Sequence, residues 1–533
     1  MMFDYVRHHA WLGFSLIALG LIVGPFVVVV FALSGQFAAI DWSLLATDAY
    51  LRAVIWFSIW QAALSTVLSV GLALPLARAL ARRQFVGRGL LLRVFSVALV
   101  IPPIVAVYGL VVVHGRQGWV NELLRYLDLS SGSYLYGLVG ILLAHVFFNL
   151  PLATRIVLQR MESIEPESWR LASQLGMSSW QHWRLLEWPH IRSVLAPLAA
   201  LIFALCFTSF AIIMSLGGGP RATTLEVAIY QAVRLDFDLP LATQLSLVQL
   251  VLCSFIVWLG LRLGRPAEIS HSIGVHVVRP DIGSWQSKLA DVLLLLLGLV
   301  LIVLPLSGVI LAGLNGHWGQ VLGDAQLWLA AWNSLWVAVC AAALCLFMAW
   351  GLLLMRRHTQ ERWPWVAAVL ESVGMLTLVM PALVLGTGLF LALRLWVDVF
   401  AINLYLVLLV NSILGLPFML RVLTAPYLQL ARQHDRLCTS LDISGWHRLR
   451  QIEWPLLKPA IGLGLAIVAA FCVGDLGVVA LFGTPDIKTL PLLMYQRLGS
   501  YQADAAAVTA VVLLALCLLV FVMMEKGVGG RRA

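Results

Sequence analysis

The chain has 533 residues, 61% of them hydrophobic and only 11% charged, with a formal net charge of +9. A soluble domain carries about 25% charged residues, so this composition excludes a soluble globular fold and places the chain in the integral-membrane class. The basic excess does not imply a nucleic-acid partner, because its distribution along the chain accounts for it.

A membrane helix needs about 20 apolar residues. Twelve such stretches are predicted, at 11–33, 54–77, 94–113, 137–158, 194–216, 242–261, 289–314, 328–354, 365–393, 401–423, 460–482 and 503–524. They are too long and too evenly apolar for barrel strands, which alternate. The first run, Trp11 to Leu33, exceeds the apolar region of about 7–15 residues in a signal peptide and reads as a retained helix. Six of the seven cysteines fall inside predicted spans and none forms a C-x-x-C pair, so they read as small packing residues.

If each Lys and Arg is assigned to the nearer end of its helix, the face holding both termini receives 27 and the other face 8. Basic residues are retained on the cytoplasmic side, which predicts both termini there.

In the fourth stretch, His145 and Asn149 stand four residues apart on one helix face. They fit either interhelical hydrogen bonding or the lining of a substrate path. The loop that follows, 159–192, is too polar to enter the bilayer. Within it "PESWRLASQLG" (166–176) predicts a short helix with a proline near its start and Gly176 at its end. Ser178 then opens a second helix, Gln181 completes an S-x-x-Q capping box, and Pro189 is expected to stop it. "GGGP" (217–220) predicts a turn, and "ATTLEVAIYQAVRL" (222–235) a short amphipathic helix on the far side. Segment 264–288, with Pro266, Pro280 and three glycines, reads as a linker between two membrane domains, 1–263 and 289–533.

The second half repeats the first. At an offset of 266, Pro151, Arg155, Leu175, Trp180, Glu187 and Pro189 match Pro417, Arg421, Leu441, Trp446, Glu453 and Pro455. At an offset of 279, Pro102 faces Pro381. Six helices per half give both halves the same orientation, hence a parallel repeat about an axis along the membrane normal. The wet loop of the first half recurs at 424–458, and two such knobs on one face suggest docking to a duplicated partner. In the eleventh stretch, Asp475 has no charged neighbour on its helix; it fits a pathway residue that attracts a cation, or a buried interhelical bond. The chain has no G-x-x-x-x-G-K-[ST] phosphate loop, so no nucleotide is expected to bind this chain as it would a P-loop protein.

The pattern A-x-x-L-G, about a dozen residues and a proline, before the penultimate helix of a membrane domain, resembles the EAA loop of binding-protein-dependent ABC importer permeases. Ala172, Leu175, Gly176 and Pro189 carry it in the first half; Cys438, Leu441 and Pro455 fill the same places in the second. Arg170 and Arg436 stand where the family has Glu, Asp442 where it has Gly, and Trp188 and Trp454 where a Leu is usual. Asp442 can still turn the chain, since Asp visits the left-handed region more readily than most residues.

The resemblance narrows to the fused permeases of thiamine and iron(III) importers. "HGRQGW" (114–119), "LLAHVFFNLP" (142–151), "SLGGGPRATTLEVAIYQA" (215–232), "GDLGVVALFG" (474–483) and "RLGSYQADAAAVTA" (497–510) are most similar to permeases for thiamine and thiamine pyrophosphate. It implies an all-α, twelve-helix type I ABC importer permease fold in the bacterial inner membrane, with no enzyme activity of its own. It also implies two copies of a cytoplasmic ABC ATPase that bind ATP and Mg, and a periplasmic thiamine-binding protein. The coupling loops, with Trp180, Glu187, Trp446 and Glu453 among their repeated residues, would contact the ATPase. An ion-coupled secondary transporter is the alternative from another class; it would need intramembrane carboxylates or histidines for the ion, and those here are scattered.

Overall fold

The computed structural model describes residues 2–129, 132–217, 219–263, 285–360, 362–374, 376, 379–484 and 487–530. Most of the expected linker therefore lies outside the described residues. The described chain is helical throughout, with no strand among the described residues.

The first half runs through α1 (Met2–Gly35), α2 (Ala49–Arg82), α3 (Arg88–Ala98), α4 (Pro103–His114), α5 (Leu138–Glu162), α6 (Pro166–Gln174), α7 (Trp188–Phe207), α8 (Phe210–Leu216), α9 (Leu225–Arg234) and α10 (Leu239–Leu263). The second runs through α11 (Trp285–Leu314), α12 (Ala325–Thr359), α13 (Pro364–Gly374), α14 (Ala382–Leu393), α15 (Asn403–Ser440), α16 (Trp454–Gly474), α17 (Gly477–Phe482), α18 (Leu490–Gly499) and α19 (Ala503–Met523). Matching caps start matching helices. The Asp48 carboxylate accepts from the backbone of Tyr50 and Leu51 to open α2, and Asp324 accepts from Gln326 to open α12.

The count of simple spans differs from twelve. Among the described residues, ten helices are long and apolar enough to cross a membrane, and an eleventh span is broken by a 111° bend between α3 and the segment Pro103–Tyr126. The twelfth, expected at 365–393, is likewise two helices, α13 and α14. A proline opens the second helix at each break: Pro102 (φ −56°, ψ 134°) and Pro381 (φ −61°, ψ 160°) are extended and stand at the N-caps of α4 and α14.

The two halves interlock. The opening helix of each half packs on the other half: α1 lies along α12 and α14, and α11 along α4 and α2. Two glycines at equivalent positions permit this. A Cβ at Gly109 of α4 would strike the Pro305 carbonyl of α11, and one at Gly388 of α14 would strike Val29 of α1. The Trp11 ring stacks on His358 with centroids 4.0 Å apart, and Arg83 meets Asp291 at 2.8 Å. Both contacts lie at the end of the molecule that carries the repeated loops. The first helix of each half thus crosses in space to the other half.

Candidate functional site

The repeated loops form two matching projections at one end of the bundle. In the first, Pro166 forces Glu165 into an extended conformation (φ −58°, ψ 139°), which separates α5 from α6. Helix α6 ends on Gly176 in the left-handed region (φ +63°). The Ser178–Gln181 capping box is present in both directions. In the second, α15 runs without interruption through Ser440, because no proline stands at the place of Pro166. Asp442 then takes the left-handed conformation (φ +51°), as Gly176 does. Ser444 stands at the N-cap of Gly445–Arg448 but its side chain makes no capping bond.

Pro189 does not stop its helix, contrary to the sequence reading. The segment Ser179–Phe207 is one continuous apolar span, and His182–Glu187 is a π-helical turn that leads into α7 with Pro189 in its first turn. Leu449–Glu453 is the matching π turn before Pro455. A proline has no N–H to give the preceding turn, and a wider turn accommodates the missing bond where the chain would otherwise kink.

Exposure divides the predicted coupling residues. Leu175 and Trp180 are 68% and 67% exposed, and Leu441 and Trp446 59% and 70%. Gly176, Asp442 and Pro455 are also exposed and Pro189 is half-buried. Ala172, Glu187 and Glu453 are buried and so face into the protein. Each glutamate meets an arginine from the end of its half's second span. Arg78 Nε lies 2.7 Å from Glu187, and the Arg78 guanidinium sits 5.2 Å from the Trp183 ring centroid and donates to the Ser179 carbonyl at 2.8 Å. Arg357 lies 3.0 Å from Glu453 and clasps Asp435 through two nitrogens at 3.0 and 3.2 Å. Arg448 adds a second cation to Glu453 at 2.8 Å. The sequence reading passed over Arg78 and Arg357, although they stand at the same offset of 279 as Pro102 and Pro381.

Deeper in the bundle, the polar residues separate. His145 Nδ1 meets Ser65 Oγ at 2.8 Å and Asn149 donates to Cys206 Sγ at 3.2 Å, so both tie α5 to neighbours within the first half. Asp475 stands at the break between α16 and α17, between Gly474 and Gly477, which approach Pro102 and Phe210 of the other half. At the opposite end of the bundle from the loops, α9 and α18 are seated alike: Leu225 N donates to Ser58 Oγ and Leu490 N to Ser334 Oγ, both at 2.9 Å. There Arg234 crosses between halves, donating to the Gly483 carbonyl at 2.5 Å with its guanidinium 5.1 Å from the Phe400 ring centroid.

Two interlocked, parallel repeats, each with a broken third and fifth span and a projecting loop at the same end, define a type I transport permease. The chain belongs to the family described as binding-protein-dependent transport system inner membrane component, which it matches over residues 69–265 and 361–526. It is a multi-pass membrane protein of that family. Among curated relatives, it is 45% identical over 487 residues to the thiamine transport system permease protein of Escherichia coli, covering 91% of each chain. It is 38% identical over 531 residues to the thiamine transport system permease protein of Haemophilus influenzae, covering 97% of each. The ferric transport system permease protein of Actinobacillus pleuropneumoniae is 24% identical over 496 residues, with 88% of this chain and 69% of that one covered.

Proposed function

We propose that the chain is the membrane subunit of an ABC importer that moves thiamine and its phosphates into the cytoplasm. The substrate rests on the 45% identity with the Escherichia coli thiamine permease. The observation that supports ATP coupling is the pair of exposed apolar tips, Leu175 with Trp180 and Leu441 with Trp446, at one end of the bundle. Isolated exposed leucines and tryptophans need no explanation, but two equivalent pairs on rigid projections suit two copies of one partner. That partner is a cytoplasmic ATPase, which would bind the ATP and Mg. The 27-to-8 division of basic residues supports a cytoplasmic position for the loop end and both termini. A periplasmic thiamine-binding protein then meets the face around α9 and α18.

In this cycle ATP draws the two ATPase subunits together. Each carries its projection with it, and the π turns and buried Arg–Glu contacts pass the displacement to α7 and α2, or α16 and α12. The halves tilt and the Arg234 contact across the outer face opens. ATP can drive this only by binding one state more tightly than the other, and the partner supplies that difference.

Uptake of labelled thiamine by vesicles holding the purified permease and its ATPase, with the binding protein outside and ATP inside, tests the reading. ATP-dependent accumulation supports it. Accumulation of iron(III) but not of thiamine would move the chain to the other branch of its family.

A further inference from the structure

The fifth spans of both halves break at equivalent places, Thr208–Ser209 and Asp475–Leu476, and the two breaks face each other. A Cβ on Gly474 would lie 3.0 Å from Pro102 Cα, and one on Gly477 3.6 Å from the Phe210 ring, both in the other half. The site is well inside the apolar layer. Asn411, which touches Asp475, stands eight residues along α15 from its outer end, about 12 Å at 1.5 Å per residue.

The groups gathered here are acceptors and ring faces. Asp475 Oδ1 accepts from Gly477 N at 3.2 Å, and Oδ2 is 3.4 Å from the Asn411 amide nitrogen. These donors are neutral. Among the described residues no Lys, Arg or His pairs with Asp475. The Asn411 carbonyl oxygen beside it is fully buried and has no partner. The Phe210 ring packs 5.3 Å from Tyr230, and Asp475 and Tyr230 are half-buried where Gly474, Leu476 and Gly477 are sealed. The equivalent positions of the first half hold no carboxylate: Ser209 stands where Asp475 does, and His145, bonded to Ser65, where Asn411 does. A fused chain can be asymmetric in this way.

We propose that Asp475, the Asn411 carbonyl, Phe210 and Tyr230 form a transit subsite for an organic aromatic cation, the thiazolium ring of thiamine. The proposal rests on the thiamine reading above. A permanent cation entering the apolar layer needs a counter-charge, and discontinuous helices at a repeat interface are where membrane transporters place one. The carboxylate supplies the charge, and the ring faces attract the cation's π-system. Three oxygen-bearing side chains, Asp475, Asn411 and Tyr230, are too few for a hard metal ion, which takes about six to eight oxygen ligands.

The alternative role for Asp475 is to cap α17. Asn caps a helix about as well as Asp, so Asp475→Asn removes the charge and keeps the cap. The test uses the full chain with its ATPase in vesicles, saturating binding protein, and labelled thiamine. We expect Asp475→Asn to assemble at normal yield and to lower the maximal uptake rate about tenfold with KM for the loaded binding protein unchanged, and Asp475→Glu to recover much of the loss. Phe210→Leu should lower the rate about fivefold through loss of the ring face. Uptake by an assembled Asp475→Asn permease within about twofold of wild type overturns the proposal. If that variant does not assemble, an undiminished rate for Phe210→Leu overturns it instead. Failure of the thiamine reading is separate, because the unaltered permease would then take up no thiamine.

Discussion

Arg78 meets Glu187 at 2.7 Å with the glutamate fully buried, and Arg357 meets Glu453 at 3.0 Å in the equivalent place of the other half. Each contact joins the end of a second span to the π turn beneath a projecting loop. The glutamates of the repeated Glu-Trp-Pro are therefore internal anchors, and the exposed part of each projection is the Leu–Trp tip above them.

Removing one member of a buried ion pair costs up to about 3–5 kcal/mol, the full amount where no other group meets the remaining charge, whereas replacing both by apolar residues is often near neutral. Arg78→Met should lower the melting temperature of the purified permease markedly. Arg78→Met with Glu187→Met should recover most of that loss while ATP-driven uptake stays low. A double variant no more stable than the single one would contradict the anchor.

The second projection is held by four ionic groups, since Arg448 and Asp435 join Arg357 and Glu453. Arg357→Ala leaves Glu453 paired with Arg448 and should cost only about 1–2 kcal/mol, with the Arg357→Ala/Arg448→Ala pair costing more than the sum of the singles. Thermal unfolding of the three variants measures it. This cluster ties the second projection to α12, at a loop where Ser444 makes no capping bond.

Local turn chemistry gives a sharper contrast. Ser178→Ala breaks a capping box and should cost about 1 kcal/mol, while Ser444→Ala, which removes no capping bond, should be silent. Asp442→Gly should stabilise slightly by relieving the left-handed turn, and Gly176→Ala should destabilise by about 1 kcal/mol. Equal effects at Ser178 and Ser444 would show that the caps do not hold the loops.

Leu175, Trp180, Leu441 and Trp446 are exposed, so their truncation to alanine should leave the fold intact. Recovery of the ATPase in a pull-down should fall at least about tenfold for Leu175→Ala combined with Leu441→Ala, as for contacts at the centre of an interface. Undiminished recovery would make the tips membrane-surface residues.

Arg234 makes a cross-half contact at the outer end. With it gone the outer face should open without the binding protein, and Arg234→Ala should raise ATP hydrolysis by the complex in the absence of substrate by about threefold, the effect of roughly 0.7 kcal/mol. Unchanged basal hydrolysis would show that Arg234 does not hold the outer face closed.

The sequence by itself determined what depends on neighbours along the chain. Composition set the membrane class; the offset of 266 set the repeat and placed both loops; Gly176, the Ser178–Gln181 box and the left-handed Asp442 follow from short-range backbone sterics and capping. Tertiary structure alone decided what depends on partners far apart in sequence. Glu187 and Glu453 looked like outward polar residues until Arg78 and Arg357, about a hundred positions away, were seen to cover them. Pro189 looked like a stop because the π turn that absorbs it is held by packing against α2. Each half looked self-contained, yet α1 and α11 exchange places, because an apolar helix carries no signal for which of two similar apolar faces it will cover. Asp475 was visible as a lone charge; only tertiary packing set it beside Asn411 of α15 and brought Phe210 of the other half near it.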